Sequence, residues 1–173
     1  MNKELSFVIP CYNEEENISP VIETIANVFS GIDFELIFID DGSSDNTWKR
    51  ICDKAAEGGI SIKAVRFSRN FGKEAAIYAG LEKCESKYTV LIDADLQQNP
   101  TVAYKMYEIL CNNSELDMVV AYQDKRKESK ILRMWKKAFY KIINNLSEID
   151  FVKDASDFRA FNSKVRDAVL KMK

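Results

Sequence analysis

The stretch "TVLIDADLQQNP" (residues 89–100) joins a short apolar run to two carboxylates. The apolar run predicts a buried strand, and the strand leads directly into Asp93 and Asp95. Two carboxylates one residue apart repel each other, so we expect a positive group to lie between them. A continuous apolar strand of this kind is typical of a parallel sheet covered by helices on both faces.

The same alternation of short apolar runs and amphipathic segments extends along the chain. Strands are predicted at 5–10, 34–40, 62–68, 88–93 and 117–122, and helices at 15–30, 44–57, 73–84 and 100–113. Ser44 or Asp45 can open the second helix, and Pro100 suits the first turn of the fourth. Repeated strand–helix units predict an α/β fold with a mostly parallel central sheet and helices on both faces.

Length and composition limit the possible functions. The 173 residues, 46% of them hydrophobic, predict a single globular domain covering 1–173, with no repeat or linker before residue 120. The net charge of −2 gives no reason to expect nucleic acid as a partner. No stretch reaches the ~20 apolar residues that cross a bilayer, and no secretory signal is visible.

The chain has four cysteines and no histidine. The cysteines are far apart, so we expect them to be reduced and mostly buried in a cytoplasmic protein, without a zinc site or disulfide framework. Without histidine, the chain cannot use an imidazole base or an imidazole metal ligand. Its chemistry must therefore rely on carboxylates, cations and backbone amides, with a hard metal ion as a further option.

Polar clusters follow four of the predicted strands. They are the segments 10–14, 40–43, 68–73 and 93–97. The carboxyl ends of parallel strands meet at one edge of a sheet, where open α/β folds bind their ligands. One polar strand end is weak evidence, whereas four at the same edge indicate a binding site.

Asp93 and Asp95 are candidates for a metal site. In an extended backbone, residues two apart point the same way, so both carboxylates can face one ligand, with Gln97 a further oxygen donor. Oxygen ligands suit Mg²⁺ or Mn²⁺, which binds through one or two carboxylates together with substrate phosphates. The alternative is that the two aspartates only cap the next turn and helix.

Other residues at this edge suit a nucleotide. Asp41 can accept hydrogen bonds from a base or ribose, and Tyr12 can stack on a base or serve as an ordinary edge aromatic. Arg69 and Lys73 flank a glycine before a helix, which suits phosphate, although a solvated helix start is the alternative. Neither a P-loop nor a dinucleotide-binding glycine motif is present.

Five segments together resemble glycosyltransferase family 2, and they occur in family order. They are "FVIPCYNEEENI", "FELIFIDDGSSDNT", "RFSRNFGKEAAIYAGL", "TVLIDADLQQNP" and "ASDFRAF". The branch that the chain most resembles contains dolichyl-phosphate mannosyltransferases and bacterial polyprenyl-phosphate (bactoprenol) glycosyltransferases. The resemblance implies the Rossmann-like nucleotide-diphospho-sugar transferase (type-A) fold.

The resemblance also implies roles for individual residues. Pro10, Tyr12, Glu14, Asp41 and Asp93 match nucleotide-binding positions, and Asp95 and Gln97 match the element that holds the diphosphate-bound Mg²⁺ or Mn²⁺. Asp157 and Arg159 match a motif near the end of the family's sequence that lies close to the sugar and the acceptor. Asp157 could be a catalytic base, a group that orients the sugar or acceptor, or only the ion-pair partner of Arg159.

The resemblance implies transfer of a sugar from a UDP- or GDP-sugar to an acceptor, with inversion at the anomeric carbon. The favoured acceptor is polyprenyl phosphate, and the implied process is cell-envelope glycan synthesis. Other readings are a nucleotide-sugar-binding module without transferase activity and a metal-dependent phosphohydrolase. The sequence leaves the donor and a homo-oligomeric state open.

The chain departs from its relatives in two respects. An arginine that many of them carry after the fifth strand is absent, and Arg126 or Arg133 is the candidate replacement for binding the acceptor phosphate. Bactoprenol-branch relatives continue into transmembrane helices, so we expect either a truncated catalytic domain or a naturally soluble form.

The basic segment 125–141 suggests a partner that is anionic. Residues 130–146 place apolar and basic side chains on separate helical faces, with Trp135 and Tyr140 among the cations. This pattern predicts a helix lying on the inner face of the plasma membrane, although a helix packed on the sheet is the alternative.

Overall fold

The computed structural model describes residues 3–122 and 155–172, which form six strands and five helices. In chain order these are β1 (Leu5–Cys11), α1 (Ile18–Val28), β2 (Phe34–Asp40), α2 (Thr47–Glu57), β3 (Ser61–Arg66), α3 (Lys73–Glu82), β4 (Tyr88–Leu91), α4 (Pro100–Asn112), β5 (Met118–Tyr122), β6 (Ala155–Asn162) and α5 (Ser163–Lys171). Residues Met1–Val120 and Asp157–Lys173 form one compact unit, and Ala121–Ser156 form a second. The prediction of a single domain stays a prediction.

The strands form one sheet in the order β3-β2-β1-β4-β6-β5. The pairs β1–β2, β1–β4 and β2–β3 are parallel, and β6 pairs antiparallel with β4. The predicted α/β architecture with a mostly parallel sheet is therefore confirmed. The parallel pairs bring the carboxyl ends of β1, β2 and β4 together at one edge, as a shared ligand site requires.

Helices cover both faces of the sheet because neighbouring residues of its central strand point in opposite directions. Val8 of β1 packs with Ile37, Leu91 and Phe161 in a buried cluster that includes residues of α3 and is lined by residues of α5. Phe7, the preceding residue, lies edge-on to Phe29 beside α1, with a ring-centroid distance of 4.8 Å. Burial of two opposed apolar faces stabilises the sheet and fixes its strand ends.

Most predicted boundaries lie within a few residues of the observed ones, and the differences have local causes. Helix α2 begins at Thr47, and its N-cap position is Asn46 rather than the predicted Ser44 or Asp45. Asp45 instead accepts hydrogen bonds from Thr47 N and Oγ1. Pro100 occupies the first turn of α4 as predicted, and the Asn99 side chain caps that helix.

Two elements, β6 and α5, were not predicted. Over residues 157–160 of β6, Phe158 and Ala160 are buried, whereas Asp157 is exposed and Arg159 is half-buried, which is the period-2 alternation of a half-covered strand. That pattern was present in the sequence. Among the described residues, no helix has the length and apolar character needed to cross a bilayer.

Candidate active site

A cleft of about 320 Å³ lies at the carboxyl ends of β1, β2 and β4, against the start of α3. Its lining contains seven of the residues predicted from sequence, namely Pro10, Tyr12, Glu14, Asp41, Lys73, Asp93 and Asp95. Cys11, Asn70, Gly72, Ala76 and Ala94 complete the lining. The cleft therefore lies at the predicted strand ends, because parallel strands bring these turns together whatever their distance in sequence.

The loop after β1 is fastened to the loop after β2 by side-chain hydrogen bonds. Asn13, in the left-handed region at φ 56°, accepts from Ser44 N and Oγ with its side-chain oxygen. Its own backbone N–H donates to Ser43 Oγ, and Glu14 N donates to Thr47 Oγ1. These bonds hold the backbone that presents Glu14 and the half-exposed Tyr12 ring to the cleft.

Asp41 is buried, and its carboxylate fastens the loop that precedes α3. Its Oδ1 accepts from Phe71 N at 2.7 Å and its Oδ2 from Gly72 N at 2.9 Å. The negative charge also lies at the amino end of α3, where the helix dipole favours it. Asp41 is predicted from the sequence to contact a nucleotide; in the structure its carboxylate anchors the loop before α3, a role that the sequence did not suggest.

Gly42 lets the same two loops approach each other. Its φ is +72°, and a Cβ built there would lie 2.4 Å from the backbone carbonyl carbon of Arg69. A side chain is therefore excluded by both conformation and space.

Lys73, the first residue of α3, connects the two acidic sides of the site. Its Nζ lies 2.8 Å from Asp93 Oδ1 and 3.2 Å from Asp157 Oδ2. Partial burial disfavours the charged ammonium, but hydrogen bonds and charges from Asp93 and Asp157 outweigh burial and raise the pKa of Lys73. The positive group that the paired carboxylates required is Lys73, and it bridges Asp93 to Asp157 rather than Asp93 to Asp95.

The turn after β4 differs from the predicted extended backbone. Leu96 adopts φ 60°, which ends any alternation of side chains beyond Asp95. Gln97 is exposed, and its backbone N–H donates to Asp95 Oδ1 at 3.0 Å. The side chain that hydrogen-bonds to Asp93 is that of Gln98, a residue that was not among those predicted from the sequence.

Asp157 and Arg159 lie on β6, and the nearest atoms of this ion pair are 3.4 Å apart. Both residues also line a mainly apolar cavity of about 280 Å³, whose walls include Ile77, Leu91 and Phe161. Asp157 thus belongs to a polar network on one side, through Lys73, and to an apolar cavity on the other.

Of the predicted cations Arg69, Arg126 and Arg133, only Arg69 is among the described residues, and it does not line the cleft. The Arg69 guanidinium lies over the Phe71 ring, 4.7 Å from its centroid, and Arg69 is not among the residues that line the cleft. Arg126, Arg133 and the predicted helix 130–146 lie outside the described residues. For these positions the sequence predictions stay predictions.

The cysteines are free, with Cys11 and Cys84 buried but Cys52 and Cys111 exposed, so the expectation of mostly buried thiols was half right. Burial, reinforced by the charges of Glu14, Asp40 and Asp93, raises the pKa of Cys11 well above its usual value. This thiol is therefore a poor nucleophile despite lining the cleft. Within residues 3–122 and 155–172, no group of three or more His, Cys, Asp or Glu side chains is arranged to hold a metal ion.

Comparison with solved structures identifies the fold. Glucosyl-3-phosphoglycerate synthase from Mycobacterium tuberculosis, in complex with UDP, superposes with a TM-score of 0.65 at 22% identity, over 94% of this chain and 58% of that one. A Staphylococcus aureus TarS fragment gives the same TM-score at 16% identity, over 98% of this chain and 49% of that one. These matches establish the nucleotide-diphospho-sugar transferase fold.

Comparison with curated sequences identifies close relatives. A putative glycosyltransferase, CsbB, of Bacillus subtilis is 37% identical over 171 residues, covering 97% of this chain and 51% of the relative. The bactoprenol glucosyl transferase of Shigella phage SfX is 32% identical over 165 residues, covering 94% and 53%. The chain spans about half the length of the curated relatives it matches.

The family model described as Glycosyl transferase family 2 matches residues 6–170, a range that includes every residue lining the cleft. This match agrees with the relatives and with the fold. The chain therefore belongs to glycosyl transferase family 2.

Proposed function

We propose that this chain transfers a sugar from a nucleotide-diphosphate sugar to polyprenyl phosphate, with inversion at the anomeric carbon. The observation that carries the proposal is the arrangement around Lys73. One ammonium lies between Asp93, at the end of β4 where the donor would bind, and Asp157, on β6 where the acceptor would approach.

The donor would occupy the cleft at the carboxyl edge of the sheet. The half-exposed Tyr12 ring offers a stacking surface for a base, and Glu14 and Asp41 offer acceptors for base or ribose groups. Lys73 supplies positive charge for the diphosphate. In this state the diphosphate would compete with Asp93 and Asp157 for the Lys73 ammonium.

A divalent cation fits the residues at the turn after β4. Asp95 is exposed and borders the cleft, and Gln97 is the adjacent exposed amide. Mg²⁺ commonly uses one or two carboxylates and takes its other ligands from substrate phosphates and water, so the site does not need three acidic side chains. Asp95 would hold the ion, which when bound supplies charge stabilisation to the leaving diphosphate. Gln97, which is not among the residues that line the cleft, stays a predicted second ligand.

In the transfer step, an acceptor oxygen forms a bond to the anomeric carbon while the bond from that carbon to the diphosphate oxygen breaks. Lys73 would stabilise the charge that develops on the diphosphate. A phosphate acceptor is already ionised near neutral pH and needs no base, so Arg159 would bind its charge and Asp157 would orient the sugar or the acceptor. With a hydroxyl acceptor, Asp157 would instead accept the proton.

Two observations support a lipid-phosphate acceptor. Relatives that cover most of this chain are named for undecaprenyl-phosphate and bactoprenol substrates. Asp157 and Arg159 also separate the polar network around Lys73 from an apolar cavity, which suits an acceptor that carries both a phosphate and an apolar chain. Arg126 and Arg133 stay candidates for binding the acceptor phosphate.

The two other readings predict different behaviour. A binding module would bind the nucleotide sugar without transferring it, and a phosphohydrolase would release phosphate from simple phosphomonoesters. Membership of glycosyl transferase family 2 does not favour either of them.

The test is incubation of the purified protein with Mn²⁺ and a panel of UDP- and GDP-sugars, with polyprenyl phosphate, a short-chain alcohol or no acceptor. Sugar transfer that requires polyprenyl phosphate is the expected result. Binding without transfer to any acceptor would overturn the proposed activity. Transfer to the alcohol alone would overturn the proposed acceptor.

We further propose that the protein binds the cytoplasmic face of the membrane through the segment 130–146. The support is its sequence, in which Lys137 and Lys141 lie among other cations with aromatic residues between them. Co-sedimentation with anionic and neutral vesicles tests this proposal. Anionic binding that weakens with salt and with Lys137→Glu plus Lys141→Glu is expected, and equal, negligible binding to both vesicle types would overturn it.

A further inference from the structure

We propose that Gln98 is a positioning residue that holds the Asp93 carboxylate in the orientation used for the donor. The inference rests on the proposed function only in naming the donor as the group that Asp93 serves. Gln98 was not selected from the sequence, and the role assigned to it comes from two hydrogen bonds to one residue.

The side-chain amide of Gln98 binds Asp93 at two points. Its Oε1 accepts from Asp93 N at 3.0 Å, and its Nε2 donates to Asp93 Oδ2 at 2.8 Å. Gln98 is half-buried, so water competes with these bonds less than it would at an exposed site. A side-chain amide carries both an acceptor and a donor, so it can bind the backbone and the carboxylate of Asp93 at once.

This pair of bonds closes the turn formed by residues 93–98. Within the turn, Leu96 adopts φ 60° and Gln97 N donates to Asp95 Oδ1. Asp95 therefore lies inside a loop whose two ends are joined by Gln98. Loss of the Gln98 amide would release both ends of the turn that carries Asp95.

Gln98 and Lys73 bind the Asp93 carboxylate together. Lys73 Nζ lies 2.8 Å from Oδ1 and 2.9 Å from Oδ2, and Gln98 Nε2 binds Oδ2. When a diphosphate draws Lys73 away, Gln98 is the described partner that keeps the carboxylate from rotating. Its contribution is thus largest in the donor-bound state.

The experiment is a double-mutant cycle on nucleotide affinity. UDP and GDP are titrated calorimetrically, with Mn²⁺, into the wild-type protein, Gln98→Met, Asp93→Ala and the double variant. Loss of two hydrogen bonds predicts roughly tenfold weaker binding by Gln98→Met. The further loss when Gln98→Met is added to Asp93→Ala should be smaller, because Asp93→Ala removes the carboxylate bond and keeps only the backbone N–H that Gln98 also binds. Equal affinity of Gln98→Met and wild type, or fully additive losses in the double variant, would overturn the proposal.

Gln98→Glu is the second variant, since it keeps the shape and one acceptor but replaces the donor with a negative charge. We expect it to weaken nucleotide binding more than Gln98→Met does, and in transfer assays to raise the donor KM with a smaller change in kcat. A fall in kcat alone, with unchanged KM, would contradict a positioning role.

Amide hydrogen exchange separates this proposal from the proposed function. Asp93 N–H should exchange faster in Gln98→Met than in wild type, while amides in β1 and β2 exchange at unchanged rates. If wild type binds neither UDP nor GDP, the proposed donor fails, and exchange still decides the role of Gln98. Unchanged exchange at Asp93 would overturn that role.

Discussion

Asp93 and Asp157 bind the same cation, because the Lys73 ammonium lies 2.8 Å from Asp93 Oδ1 and 3.2 Å from Asp157 Oδ2. Asp93 follows β4 and Asp157 lies on β6, the antiparallel strand paired with β4. A diphosphate that binds Lys73 therefore acts on both carboxylates at once. Binding of a donor would therefore also weaken the ion pair between Lys73 and Asp157.

Replacing Lys73 with methionine should abolish most transfer. The substitution keeps the length of the side chain but removes the charge that faces the diphosphate, so we expect a fall in kcat/KM of about 10²–10³-fold. Steady-state transfer assays measure it. Lys54→Met, which removes an exposed ion pair with Glu57 on α2, is the matched control and should change nothing. Similar activity in both variants would contradict a role for Lys73.

Asp95→Asn should remove metal-dependent nucleotide binding while leaving the fold intact. Asp95 is exposed, so its charge contributes little to folding, but an amide is a weaker ligand for a hard cation. Calorimetry of UDP and GDP with and without Mn²⁺ measures the effect. Asp53→Asn, an exposed site on α2, serves as the control. An undiminished Mn²⁺ effect in folded Asp95→Asn would exclude Asp95 as a ligand.

Asp157→Ala should reduce turnover more than donor binding. Asp157 contacts Lys73 and Arg159 but is not among the residues that line the cleft proposed for the donor. We expect kcat to fall by about 10²-fold or more while the donor dissociation constant changes by no more than about threefold. Asp167→Ala on α5 is the control. If the rate of transfer is unchanged, Asp157 has no catalytic role.

Gly42→Ala should destabilise the protein more than Gly58→Ala. The two glycines have nearly the same φ, +72° and +73°, but only at Gly42 does a Cβ meet backbone, whereas nothing lies within 4 Å at Gly58. Gly58, at φ +73° and ψ −168°, lies in a region that almost only glycine adopts, so Gly58→Ala measures a conformational cost without a clash, on the order of 1–3 kcal/mol. We expect Gly42→Ala to lose at least about 2 kcal/mol more in the free energy of urea-induced unfolding. Equal losses would mean that the two loops are not in close contact.

Asp45 should contribute stability that depends on pH. Slight burial favours its neutral form, but hydrogen bonds from Thr47 and from the backbone of Glu15 outweigh burial and lower the pKa of Asp45. A carboxyl with a lowered folded-state pKa stabilises the protein above its unfolded pKa, about 3.9, and loses that contribution as pH falls through the folded value.

The measurement is the free energy of unfolding of wild type and Asp45→Asn between about pH 7 and pH 2. The difference between the two proteins should stay constant above about pH 5 and shrink below about pH 4. A difference that grows as the pH falls would contradict the assigned direction.

The sheet and the location of the cleft could be predicted from sequence because they depend on local patterns. Apolar runs such as the one in β2 are buried on both faces, and their boundaries are therefore visible. The residues that line the cleft could be predicted because they lie at the ends of parallel strands. No distance between the residues was needed to place Glu14, Asp41 and Asp93 together.

The connections within the site were not predictable in the same way. The selection of Gln97 assumed an extended backbone, and the left-handed Leu96 instead turns Gln98 toward Asp93. Asp41 could have faced a ligand or the backbone of a neighbouring loop, and sequence does not distinguish these partners. The bridge through Lys73 depends on the pairing of β6 with β4, which is a contact between distant parts of the chain.

The position of β6 between β4 and β5 also has a consequence for biosynthesis. A ribosome releases β1 to β5 before Ala155–Asn162, so the edge of β4 stays without its antiparallel neighbour while the intervening residues are made. Pairing strands so distant in sequence is intrinsically slow. The half of the cleft around Tyr12 and Asp41 can thus form on the nascent chain well before Asp157 arrives, and an unpaired β4 edge is the point at which premature association between chains would begin.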